Sequence, residues 1–174
     1  VVEYDKVHKN YPKSESAPEA LYAISTCYNM LADGADDEAE SAKWRRKLFE
    51  TNEVLAGKYP QSSYAGNAMV NLGNKLYNEG SAPDIENSER IRLYKLAVEK
   101  YLAATEIAGI DAEAKERAGL YVKETQNTLA YYIYTKAGDH LTTTRRAFST
   151  GSPEEVEALE SAIAVFHDLI KTYP

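Results

Sequence analysis

Cysteine is nearly absent: Cys27 is the only one in 174 residues. An intramolecular disulfide framework is therefore excluded, and a cysteine-rich metal site has no ligand set. Histidine is scarce too. His8, His140 and His167 are the only imidazoles, and no two of them stand four apart, as a helical zinc pair requires. Neither a Gly-rich phosphate loop nor a Gly-x-Ser-x-Gly turn occurs. No apolar run approaches the ~18 residues that span a bilayer, and Val1-Val2-Glu3-Tyr4-Asp5-Lys6 has none of the character of a signal peptide. Basic charge is in deficit, with 20 Lys and Arg against 27 Asp and Glu and a net charge of −7. With a pI of about 5.1 and a mean hydropathy of −0.51, duplex nucleic acid is not the expected partner.

The remaining titratable residues assemble no catalytic set, so the expectation is a chain that is not an enzyme and needs neither cofactor nor metal. Cys27 lies between apolar positions Ile24 and Tyr28 and reads as a helix-face residue rather than a nucleophile. Asp33, Asp36, Asp37, Glu38 and Glu40 lack the alternating ligands and mid-loop Gly of an EF-hand, and read instead as carboxylates at a helix start. The basic clusters Arg45-Arg46-Lys47, beside Trp44, and Arg145-Arg146 read as solvated helix faces or partners of the acidic loops.

Repetition is what the chain does have. Tyr11-Pro12-Lys13-Ser14, followed by Ala17 and Ala20, recurs as Tyr59-Pro60-Gln61-Ser62 with Ala65 and Ala68. The shift of 48 also carries Leu21 to Met69, Ile24 to Leu72 and Tyr28 to Leu76, and a third Tyr-Pro stands at Tyr173-Pro174. Between these marks the apolar period is helical, as at Leu21, Ile24 and Tyr28. No alternating strand pattern is found. Pro discourages a helical residue before it and Ser can cap the helix after it, so each Tyr-Pro-x-Ser is a stop and restart. Breaks are also expected at Asp33-Gly34, Gly80-Ser81-Ala82-Pro83, Gly109 and Gly151-Ser152-Pro153. Seven helices follow, near 1–10, 14–32, 38–58, 62–79, 86–108, 112–137 and 154–172. Residues 139–152 are ambiguous: Thr142-Thr143-Thr144 is a poor helix interior, whereas Arg145 to Phe148 can add an amphipathic turn.

A two-helix signature runs through these segments. The first helix of each unit reads Leu21, Ile24, Ser25, Tyr28, Ala32; then Met69, Leu72, Gly73, Leu76, Gly80; then Gln126, Leu129, Ala130, Ile133, Ala137. The second reads Ala97, Tyr101, Ala104, Gly109 and Ala162, Phe166, Leu169, Pro174, with a partial copy at Tyr4, Val7, Pro12 and the weakest at Leu48, Asn52, Leu55, Pro60. Over nearly all its length the chain resembles the tetratricopeptide repeat (TPR) family, in the long-repeat variety of bacterial cell-envelope assembly and Tol-associated proteins. The resemblance implies an all-α fold, a right-handed α-solenoid of antiparallel helix pairs. Its units would cover 1–12 (partial), 13–60, 61–109 and 110–174, longer than the roughly 34 residues of the ordinary repeat. It also implies an internal segment of a longer array, and a periplasmic or cell-envelope location. Small residues at Ser25, Gly73 and Ala130 would let neighbouring helices approach closely.

The family's groove positions fall on an inner face rich in Asn and Tyr: Glu19, Tyr22, Thr26, Asn29, Met30; Asn67, Val70, Asn74, Tyr77, Asn78; and Glu124, Asn127, Tyr131, Tyr134, Thr135. Stacked Asn amides offer a donor and an acceptor to an extended peptide backbone, and Tyr rings cover its side chains. The set lacks the Lys and Arg that clamp a C-terminal carboxylate. The expected function is a noncatalytic scaffold holding a protein or peptide segment. The alternative is a structural module of a coat, lattice or multisubunit complex, contacting through its ends and convex face.

Overall fold

A computed structural model of the chain describes residues 1–173 and contains only helices: α1 (Val2–Asn10), α2 (Ser16–Asp33), α3 (Glu38–Lys58), α4 (Ser63–Gly80), α5 (Asn87–Glu106), α6 (Ala112–Ala147) and α7 (Pro153–Thr172). Each helix packs on its neighbours in sequence, across connections of four to six residues. The fold is all-α, as the 3.6-residue period requires.

Local chemistry accounts for the boundaries. The side chains of Asp37, Ser62, Asp111 and Ser152 accept backbone N–H groups at the starts of α3, α4, α6 and α7, each satisfying a donor that has no partner within its helix. The acidic stretch after α2 thus supplies a cap. Ser14 does not cap α2 as its counterpart Ser62 caps α4. Its hydroxyl turns back to donate to the Tyr11 carbonyl at 2.9 Å, and α2 begins after Glu15 without a side-chain cap. Gly109 and Gly151 take φ of +75° and +80°, left-handed turns in which a Cβ would be strained.

The largest departure from the expected boundaries is α6, which runs ten residues beyond 137 to Ala147. Thr144 meets its hydroxyl demand inside the helix by donating to the His140 carbonyl at 3.0 Å. Arg145 then donates to the buried carboxylate of Glu155 at 3.0 Å, tying the end of α6 to the start of α7. The other Glu155 oxygen accepts the Gly151 N–H. Packing and charge-assisted bonds of this kind outweigh the few tenths of a kcal/mol per residue by which Thr disfavours a helix.

Two apolar clusters form the core, and each joins three consecutive helices. Leu21, Ile24, Leu55, Ala56, Ala68 and Leu72 connect α2, α3 and α4. Val70, Ala97, Tyr101, Ala104 and Ala118 connect α4, α5 and α6. Full burial of one such Leu or Ile contributes about 1.5–3 kcal/mol. Small residues set the spacing: Ser25 and Gly73 are buried, and Ala130 is half-buried. The pattern at Leu48, Asn52 and Leu55, the weakest in sequence, is fully part of the core, with all three side chains buried. The junctions touch as well: the Tyr59 hydroxyl donates to the Pro12 carbonyl at 2.8 Å, linking one Tyr-Pro turn to the next.

The basic clusters lie at helix surfaces. Arg45 reaches Asp33 at 3.3 Å, and Trp44 stacks on Tyr28 of α2 with ring centroids 5.8 Å apart, with Lys43 and Lys47 over its ring. Cys27 is half-buried. No helix among the described residues is long and apolar enough to cross a membrane.

Candidate functional site

Helices α2, α4 and α6 form one row. Among the described residues, the α2–α4 and α4–α6 contacts are the only ones between helices that are not sequence neighbours. Alanines permit this approach, since Ala65, Ala68, Ala114 and Ala118 are all completely or almost completely buried.

Between α4 and α6 the row opens into a trough made of two adjoining cavities of about 230 and 270 Å³, which share Asn74 and Tyr121. Asn67, Asn71, Asn74 and Asn78 line it, at spacings of four, three and four that put them on one face of α4. Tyr22 of α2 closes one end and stacks on Tyr64, with ring centroids 5.2 Å apart. Tyr77, Tyr121 and Thr125 line the other cavity, with Arg117 and Glu124 contributing one charge of each sign along α6.

Tyr101 of α5 reaches the trough from behind. Its hydroxyl donates to Asn74 Oδ1 at 2.8 Å, which occupies the Asn74 carbonyl and leaves its amide N–H groups to donate outward. Burial pushes the Tyr101 phenol well above its ordinary range, and the neighbouring Tyr121, Tyr77 and Glu124 push it further the same way. The hydroxyl therefore stays protonated and remains a donor. The ring packs 5.3 Å from that of Tyr121, so the position of Asn74 is fixed by a buried aromatic support.

Of the groove residues expected from sequence, Tyr22, Asn67, Val70, Asn74, Tyr77, Asn78 and Glu124 line the trough. Glu19, Thr26, Asn29, Met30, Asn127, Tyr131, Tyr134 and Thr135 lie outside its two cavities. The hydroxyls of Thr26 and Thr135 donate to their own helices, at the carbonyls of Tyr22 and Tyr131, and Asn29 donates to Asp33 at 3.0 Å. Tyr131 is exposed and meets the neighbouring Tyr132 ring edge-on. Tyr134 lies against Phe166 of α7, with ring centroids 5.3 Å apart. Five lining residues are not among the expected groove positions: Asn71, Tyr101, Arg117, Tyr121 and Thr125.

The trough can offer amide donors and acceptors along a line, aromatic faces on both sides and one charge of each sign. Among the described residues no group of three or more His, Cys, Asp and Glu is placed to hold a metal ion. No protein-family model matches the chain, and no curated protein or solved structure shows significant similarity to it.

Proposed function

We propose that the chain is a noncatalytic, TPR-like interaction scaffold that holds an extended peptide or protein segment along the inner row of α2, α4 and α6. The observation that carries this reading is the line of four asparagines on α4, flanked by Tyr22, Tyr77 and Tyr121. An extended chain presents alternating N–H and C=O groups, and a row of amides answers both without demanding a particular side chain. The tyrosines cover apolar side chains at a low cost in conformational entropy and can hydrogen-bond at their tips.

Selection of a random peptide display library on the immobilised chain tests the reading. Enrichment of peptides that lose binding to Asn71→Ala/Asn78→Ala supports it. Peptides that bind the variant and the parent equally contradict it. A second reading, a structural module of a larger assembly, is favoured by the exposed aliphatic residues of α7.

A further inference from the structure

The two cavities of the trough differ in charge. In the one of about 270 Å³, Arg117 is the only charged side chain among the described residues, beside the amides of Asn67, Asn71 and Asn74. In the one of about 230 Å³, further along α6, Glu124 is the only one, beside Tyr77, Asn78 and Thr125. No other charged residue of α2, α4 or α6 lines either cavity. Lys75 and Glu79 of α4 line a separate cleft against Phe49 of α3, and Glu113, Lys115, Glu116 and Lys123, close in sequence on α6, stay outside the trough. The Arg117 guanidinium donates to Glu113 at 3.3 Å. That bond uses one of its five N–H groups and leaves the others free to meet a ligand. Glu124 forms no ion pair among the described residues.

Arg117 and Glu124 stand seven residues apart, two turns along one face of α6, which is about 10.5 Å of helix axis. A bound segment in polyproline II geometry turns residues i and i+3 to the same side about 9 Å apart, and a strand turns i and i+4 to the same side about 13 Å apart. The long Arg and Glu side chains reach across either difference. Between the two charges stands Asn74, which lines both cavities. Because the Tyr101 hydroxyl occupies its carbonyl at 2.8 Å, Asn74 presents only donors and fits a backbone carbonyl of the segment.

We propose that the segment held in the trough carries an acidic side chain at Arg117 and a basic side chain at Glu124, three or four residues apart, with a backbone carbonyl between them on Asn74. This charge order rests on the peptide-binding reading and supplies the selectivity that the asparagines lack. Amides hold the backbone of any sequence, whereas two opposite charges at a fixed separation choose among sequences. A segment with two acids or two bases at these places sets a like-charge pair in the trough, which costs affinity. The protein walls of the trough concentrate the field of each charge beyond that of an open helix face.

A random peptide library selected on the parent chain, followed by binding to the charge-exchanged variant Arg117→Glu/Glu124→Arg, tests the proposal. Peptides enriched on the parent should carry one acidic and one basic residue three or four apart. Each should bind the exchanged variant about tenfold more weakly, and should regain its affinity when its own acid and base are exchanged. Arg117→Gln, a milder change, should weaken binding about two- to fivefold and make replacement of the peptide's acid by its amide inconsequential. Helical circular dichroism matching that of the parent establishes that both variants fold. Peptides that require Asn71 and Asn78 but lack the charge pair, bind the exchanged variant equally well, or are not restored by their own exchange overturn the charge order and leave the peptide-binding reading standing. Peptides indifferent to Asn71→Ala/Asn78→Ala, or no enrichment at all, overturn that reading and the charge order with it.

Discussion

The ring of Tyr101 occupies the space in which residue 73 would carry a side chain: a Cβ added to Gly73 would lie 2.4 Å from Cε1 of that ring. Tyr101 is itself held by its bond to Asn74 and its packing on Tyr121, so the ring cannot swing aside. Gly73→Ala should therefore destabilise the fold by about 1–3 kcal/mol, although alanine is the better helix former. Gly119, on the exposed side of α6, has nothing within 4 Å of its built Cβ, and Gly119→Ala should stabilise by about 0.4–1 kcal/mol. Thermal unfolding of the two variants should shift in opposite directions.

Ser25 and Asn52 form a buried pair in the preceding unit. The serine hydroxyl donates to Asn52 Oδ1 at 2.7 Å, and Asn52 Nδ2 has no partner. Asn52 stands where the other units carry Tyr101 and Phe166. Ser25→Ala alone should cost about 1–3 kcal/mol by leaving a second polar atom unsatisfied. Ser25→Ala/Asn52→Leu, which removes the whole buried pair, should recover most of that loss. A urea-denaturation double-mutant cycle measures the coupling; additive effects would show that the pair does not act as a unit.

Arg90 is buried without a carboxylate beside it. It donates to the carbonyls of Ala82 and Ile85 and to the Tyr132 hydroxyl, and its guanidinium lies 4.8 Å from the Tyr132 ring centroid. A planar fork serves the two loop carbonyls and the ring together, whereas an ammonium serves fewer of them. Arg90→Lys should lower stability by about 1.5–3 kcal/mol and speed amide exchange in residues 81–86. Unchanged exchange there would show that the loop is held by other contacts.

Tyr101 also makes an alkaline prediction. Its phenol is raised in the folded state, chiefly by burial, so the unfolded chain ionises this group first. The contribution is fully present below pH of about 10 and declines as pH rises from there toward the folded-state value. Tyr101→Phe should cost about 1 kcal/mol at neutral pH, from the lost bond to Asn74, and should flatten part of the fall in unfolding free energy above pH 10. An identical alkaline slope in the variant would contradict the assignment.

Much of this architecture is legible in the chain because its punctuation is strong. Tyr-Pro, Gly and capping residues bracket runs of clear 3.6-residue period, and six of the seven helices end within two residues of where those signals stand. α6 is the exception. Thr142 to Thr144 are a poor helix interior in isolation and leave 139–152 ambiguous, and the bond from Arg145 to Glu155 that ties the helix end down lies across a turn that local propensity does not see.

The trough divides in the same way. Asn67, Asn74, Tyr77 and Asn78 follow from the groove positions that the family resemblance implies, laid on the helical register of α4. Arg117, Tyr121 and Thr125 fall outside the third register, which the sequence pattern places at residues 126–137. The first half of α6 faces α4 and α5, and the second half pairs with α7. The signal was present: the 49-residue step from Pro60 to Gly109 also carries Ala65 to Ala114. Asn71 lies one turn from Asn67 and from Asn74, on the same face, and the spacing alone could have included it.

The most direct test of the groove is a nitrogen-15 NMR titration of the chain with a library-selected peptide, following the side-chain NH2 resonances of every asparagine. The account predicts that Asn67, Asn71, Asn74 and Asn78 shift together, while Asn29 and Asn127 remain in place. Saturable binding that leaves the four α4 amides unmoved would contradict it.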